Sequence, residues 1–254
     1  MTAARSCVIP ATSAADDLAF ESLRDAVSAT ADMDEARIVG GHMSGLLLAA
    51  FPSGDLEPRR TNDADAGISV EVAGGFSVHE RLAAADYVEE GGNRLVRGDR
   101  AIDLLVPSDS GQFRPKLIAE RSYDSAPGLR LALSSPPLTI DLTVVYRDGT
   151  ADRFDVRVPP VEIAVVLKAY AAGTRAEARD VTDLHHLLSI RHAHDPAEIG
   201  GWQLDADPLF GSRGDAAAHL HLLADRAHRD PRMAEAEVPP GRFAALVRQY
   251  VHRP

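Results

Sequence analysis

Two acids stand two residues apart in the run Asp63-Ala64-Asp65-Ala66-Gly67-Ile68-Ser69-Val70, where Ala64, Ala66, Ile68 and Val70 alternate with more polar partners. That period of two predicts a strand over 63–70 with one apolar face. Both carboxylates then leave the opposite face, about 7 Å apart along the chain at ~3.3 Å per residue. Aligned carboxylates raise one another's pKa unless a cation intervenes. Hard oxygen donors of this kind suit magnesium, which keeps several waters and shares phosphate oxygens with a bound nucleotide. Asp103 is a lone acid among aliphatic residues in Ala101-Ile102-Asp103-Leu104-Leu105-Val106, a costly position without a partner. Placed on the neighbouring strand, it would complete a cage for two metal ions. Such a cage activates an attacking oxygen and stabilises a leaving pyrophosphate.

The elements that must position these acids follow from the surrounding pattern. Residues 1–15 read as a loose tail. A helix is expected from Asp16 through Leu18, Leu23 and Val27, ending near Thr30. Ala36–Val39 is a short apolar run that stops at Gly40-Gly41, and Met43–Phe51 is apolar enough for a helix packed on a sheet, ended by Pro52-Ser53-Gly54. His79–Ala85 reads as helix and Gly91-Gly92-Asn93 as a turn. Arg94–Val96 and Ala101–Val106 are expected to pair across Arg97-Gly98-Asp99-Arg100. Residues 107–130 read mostly as loop. Leu138–Tyr146 and Arg153–Val158 form a second strand pair across Asp148-Gly149. After Pro159-Pro160 the chain is helical over Val161–Ala172, Ala176–Ile190, Ala216–Arg229 and Arg242–Val251. The expected architecture is α+β: a mixed-sheet part over 1–158, then a helical part over 159–254 that completes the site.

Composition narrows the classes. With 254 residues, 45% hydrophobic and 26% charged, the chain has the make-up of a globular protein. Cys7 is the only cysteine, which excludes an intramolecular disulfide and a cysteine-rich zinc site and suits a reducing cytoplasm. No run of apolar residues is long enough to span a bilayer, and the N-terminus turns acidic too early for a secretory signal. The formal charge is −11, which does not favour nucleic acid as a partner unless basic groups cluster locally. The only lysines are Lys116 and Lys168, so a lysine within the apolar helix 161–172 stands out.

The run IVGGHMSGLLLAAF…RRTNDADAGISV resembles the DNA polymerase β-type nucleotidyltransferase superfamily, which pairs a glycine motif before a helix with a D-x-D strand. The stretch PGLRLAL…VPPVEIAVVLKAYAAGTRAEARDVTDLHHLL looks like its AbiEii abortive-infection toxin branch. The likeness covers roughly residues 37–190. It implies a nucleotidyltransferase-like fold and a magnesium-dependent transfer of a nucleoside monophosphate from an NTP to a hydroxyl acceptor, such as the 3′ end of tRNA. It also implies a cognate antitoxin as partner. Residue by residue, Gly40, Gly41 and His42 correspond to the phosphate loop at a helix N-terminus, and Asp63, Asp65 and Asp103 to the metal ligands. Lys168 corresponds to the lysine that supports the phosphates, and Asp180 or Asp183 to the acid that acts as base. The i, i+3 spacing puts Asp180 and Asp183 on one helix face, with Val181, Leu184 and Leu188 free to pack on another. Two positions depart from the pattern: His42, where relatives carry a small residue, and Arg179, where they carry lysine.

Other chemistry is weaker. His185, His186, His192 and His194 fit no standard zinc spacing, and His219, His221 and His228 read as surface or packing residues. No Walker-type loop, G-x-S-x-G elbow or HExxH occurs. Two further readings fit the same residues: a nucleotidyltransferase acting on a small molecule or a protein side chain, and a nucleotide-binding or interaction module with weak or no turnover.

Overall fold

The computed structural model describes residues 5–175 and 177–254. Its elements begin with β1 (Arg5–Pro10), α1 (Ala14–Ala29), β2 (Ala36–Ile38), α2 (Gly40–Ala50), β3 (Ala64–Ile68), α3 (Val70–Gly74) and α4 (Ser77–Ala84). Next come β4 (Val88–Gly91), β5 (Arg94–Arg97), β6 (Arg100–Pro107), β7 (Arg114–Ile118), β8 (Arg121–Ala126), α5 (Leu129–Ser134), β9 (Leu138–Val145) and β10 (Ala151–Val158). The remainder is helical: α6 (Val161–Thr174), α7 (Ala178–Ala193), α8 (Gly211–Arg226), α9 (Pro231–Glu235) and α10 (Pro240–Tyr250). The class is α+β, with mixed sheets and a helical C-terminal region, as expected.

The larger sheet runs β2-β3-β6-β5-β4, with β7 and β8 attached through β6. β6 is its hub. One edge of β6 pairs with β3 in parallel; along the other, antiparallel β5 takes the first half and parallel β8 the second. The smaller sheet, β1-β9-β10, packs through β1 on α2 and through β10 on β2 and α1. Helix α6 is apolar nearly all round, and Val161, Val165, Val166 and Ala169 are among its buried residues. A helix of that kind belongs inside the molecule rather than on its surface. The buried residues of the sheets, of α2 and of α6–α8 and α10 belong to one continuous apolar cluster.

Three expectations are corrected. The tail contains β1, which pairs in parallel with β9 from Arg5↔Ile140 to Pro10↔Val145; a partner so distant in sequence leaves no local signature. Residues 107–130 are not mostly loop, because they hold the β7–β8 hairpin. Its turn is Ala119-Glu120, both at positive φ (45° and 72°), where glycine or asparagine is the usual marker. The strand at 63–70 is shorter than its alternation suggests, since Ser69 caps α3 by accepting from the Val72 amide. The last helices were legible apart from α9. The expected start of α7 at Ala176 falls outside the described residues.

Candidate active site

The register of the larger sheet decides where the acids meet. In the β3–β6 ladder Asp65 lies directly opposite Asp103, flanked by Ala64↔Ile102 and Ala66↔Leu104. The flanking residues are buried on the other face, so the two aspartates share the face that the alternation assigned to them. Asp63 immediately precedes β3 and is held by the Thr61 hydroxyl, which donates to Oδ1 at 3.1 Å. All three acids line one cleft of about 490 Å³.

Helix α2 starts at the floor of that cleft. Its N-cap, Val39, supplies no side-chain hydrogen bond, so the first-turn amides have no side-chain cap and form an anion-favouring end. The Val39 amide itself donates to the Asp65 carbonyl at 2.9 Å, tying the helix start to β3. Gly40 sits at φ +65°, and a Cβ there would lie 1.8 Å from Asp65 Oδ2. The glycine is thus required twice, by backbone conformation and by the carboxylate pressed against it. At Gly41 a Cβ would come within 2.9 Å of Thr61 and Arg59 side-chain atoms.

The opposite wall comes from the helical region. Lys168 of α6 is buried and lines the cleft. Its Nζ lies 2.6 Å from Asp183 Oδ2 and 3.7 Å from Asp180 Oδ1 of α7. The two acids therefore divide. Asp183 is buried behind the wall, paired with Lys168 and with Arg59, whose Nη2 approaches to 3.3 Å. Asp180 lines the cleft, and its Oδ2 is buried with no hydrogen-bond partner. His42 is drawn away from the cleft: its ring stands 6.1 Å from that of Phe20, against a small cavity behind the helix. It lends no side chain to the cleft lining, and burial pushes its imidazole down to about 4. Arg179, noted above as a departure from the family pattern, is a cleft residue.

Electrostatics mark the centre of the cluster. Burial, then the carboxylates of Asp63 and Asp103, push Asp65 up to about 7, while Lys168 and Arg175 pull the other way. Burial also raises Asp103 and Asp180, against the opposing pull of Arg94 and Lys168 respectively. Hard oxygens that resist sharing one space fit a divalent cation, which would lower Asp65 and Asp103. Among the described residues no three acidic or imidazole groups are already converged as ligands; Arg94 Nη1 instead holds Asp103 Oδ2 at 2.7 Å.

Sequence reasoning missed the basic wall. Arg59, Arg94 and Arg175 join Lys168 and Arg179 around the acids, and the Arg175 guanidinium lies 4.7 Å over the Phe113 ring. Arginines are frequent throughout this chain, so nothing in their spacing sets these three apart. No protein-family model matches the chain, and no curated protein matches it. Among the described residues no helix is long and apolar enough to cross a membrane.

Proposed function

We propose that the chain is a metal-dependent nucleotidyltransferase that transfers a nucleoside monophosphate from an NTP to a hydroxyl acceptor. The observation that carries this reading is the row Asp65–Asp103 on adjacent parallel strands, with Asp63 beside it, facing the uncapped start of α2. Those two features bind the two halves of one ligand: cations on the carboxylates and phosphate oxygens on the helix amides. Magnesium held by Asp63, Asp65 and Asp103 would polarise the phosphoryl oxygens and offset the charge of departing pyrophosphate. Gly40 and Gly41 let the backbone approach the triphosphate. Asp180 serves as the proton acceptor for the incoming hydroxyl: its Oδ2 is unpartnered and it lines the cleft, whereas Asp183 is committed to Lys168 and Arg59. Lys168 positions Asp180 and adds positive charge beside the phosphates.

The AbiEii-like motifs and one structural feature favour RNA, with tRNA as the leading acceptor and an antitoxin as the accompanying partner. Arg175 is shared between the cleft and a neighbouring groove of about 540 Å³ whose wall includes Arg226 and Arg229. That places local positive charge beside the reacting centre of a chain that is acidic as a whole. Incubation with magnesium, labelled NTPs and total RNA should label RNA, and Asp63→Ala/Asp65→Ala should reduce labelling by about a thousandfold or more. Label confined to protein or to small molecules would instead select the second nucleotidyltransferase reading. Nucleotide binding without any product would select the binding module.

A further inference from the structure

The row that joins Asp65 to Asp103 does not end there. On its other side Asp103 is the register partner of Arg94 in the β5–β6 ladder. Three adjacent strands therefore carry Asp65, Asp103 and Arg94 across one face. The guanidinium donates to Asp103 Oδ2 at 2.7 Å through Nη1, and the same nitrogen lies 4.0 Å from Asp63 Oδ2. Its Nε faces Glu90 Oε2 at 3.3 Å, at the rim of the cleft. One positive charge thus touches two of the three acids proposed to hold the cation. The Arg94 side chain is 41% exposed, so it is anchored by charge rather than by packing.

We propose that Arg94 is the resident counter-ion of the carboxylate row, and that it is exchanged for the divalent cation when nucleotide enters. This rests on the nucleotidyltransferase reading for the identity of the incoming ligand. Without nucleotide, a cation must break a charge-assisted hydrogen bond and leave a guanidinium stranded beside it. With nucleotide, the planar fork released from Asp103 finds phosphate oxygens, which it can engage in pairs. Cation and nucleotide then bind cooperatively, each removing part of the other's cost. Arg94 is in this sense a positioning residue: it protects the cluster from like-charge repulsion when empty and orients the triphosphate when loaded.

Manganese, used as a probe cation, can be titrated into the full chain by calorimetry with and without a non-hydrolysable NTP analogue. Arg94→Met should bind manganese alone about tenfold more tightly than wild type, and the analogue should strengthen that binding less than it does in wild type, leaving only the share due to phosphate oxygens on the cation. Arg94→Lys, which keeps the charge but not the fork, should stay near wild type for manganese alone and recover only part of the cooperativity. Arg97→Gln, on the same strand but paired outward with Asp86 at 3.9 Å, should change neither. Unchanged or weaker manganese binding by Arg94→Met, with the thermal unfolding of Arg94→Lys intact, would reduce Arg94 to a cross-strand pair and overturn the exchange. The two ideas fail separately. Tighter manganese binding with no transfer to any acceptor would retain the exchange and reject the enzyme, and active transfer with unchanged binding would do the reverse.

Discussion

At the scale of single residues, Asp65 is where stability and function pull apart. Its folded pKa of about 7 lies above the ordinary 3.8, so the folded state holds this proton more tightly than the unfolded chain does. Stability contributed here is therefore lost as pH rises from about 4 to about 7 and is lowest above that window. The penalty is on the order of 2–4 kcal/mol once partial access to the cleft is allowed for. Asp65→Asn should flatten this decline in thermal unfolding measured without cations. Magnesium should raise the melting temperature of wild type more at pH 8 than at pH 6, because at the lower pH the cation must also expel a proton. A melting temperature at pH 8 that ignores magnesium would contradict the proposed metal site. Gly40→Ala tests the cradle from the other side. Left-handed backbone costs a non-glycine residue about 1–2 kcal/mol, and the added methyl would displace Asp65. Activity should fall by about a hundredfold or more while far-ultraviolet circular dichroism stays native.

Elements bring in a second kind of argument. Lys168 and Asp183 join α6 to α7 through a buried ion pair, and removing one partner of such a pair costs about 3–5 kcal/mol because the other is left uncompensated. Lys168→Met should show that loss in urea unfolding, softened to the extent that Arg59 still reaches Asp183. Lys168→Met/Asp183→Leu should restore part of the stability, since buried Asp180 still lacks its cation, and on the proposed function none of the activity. An active double variant would make Lys168 a structural residue only. The strands and helices that carry these groups were largely legible. Alternation marked β3, the Gly98 and Gly149 turns marked their hairpins, and long apolar runs marked α2 and α6. The β7–β8 hairpin was not, because its turn uses Ala119 and Glu120 at positive φ. Its strands also present exposed residues such as Leu117 where alternation would place inward ones.

For the whole molecule, the boundary near residue 158 falls between β10 and α6, yet the apolar cluster crosses it without a break. Residues 1–158 produced alone would expose the face of α2 that α6 and α7 cover and the face of α5 that packs on α6. That fragment should bind hydrophobic dyes and lack a cooperative thermal transition, and a sharp transition would show that the sheet part is a self-sufficient domain. Truncation through Pro10 would also remove β1 from the edge of β9, and thermal unfolding should shift down by several degrees, on the order of 2–4 °C per kcal/mol lost.

The sequence by itself determined the α+β class, the face on which Asp65 stands, the glycines that open the start of α2, and the helices bearing Lys168, Asp180 and Asp183; Asp63, expected on the same strand face, lies just before β3. All of these are local: they follow from periodicity, turn chemistry and spacing within a few residues. Only the tertiary structure decided which strand lies beside which. It set Asp103 between Asp65 and Arg94, sent His42 to the back of its helix, and separated Asp183, locked by Lys168 and Arg59, from Asp180, which is buried but lines the cleft. Those outcomes depend on strand register and on packing between segments far apart in the chain, and register moves every side chain of a strand at once.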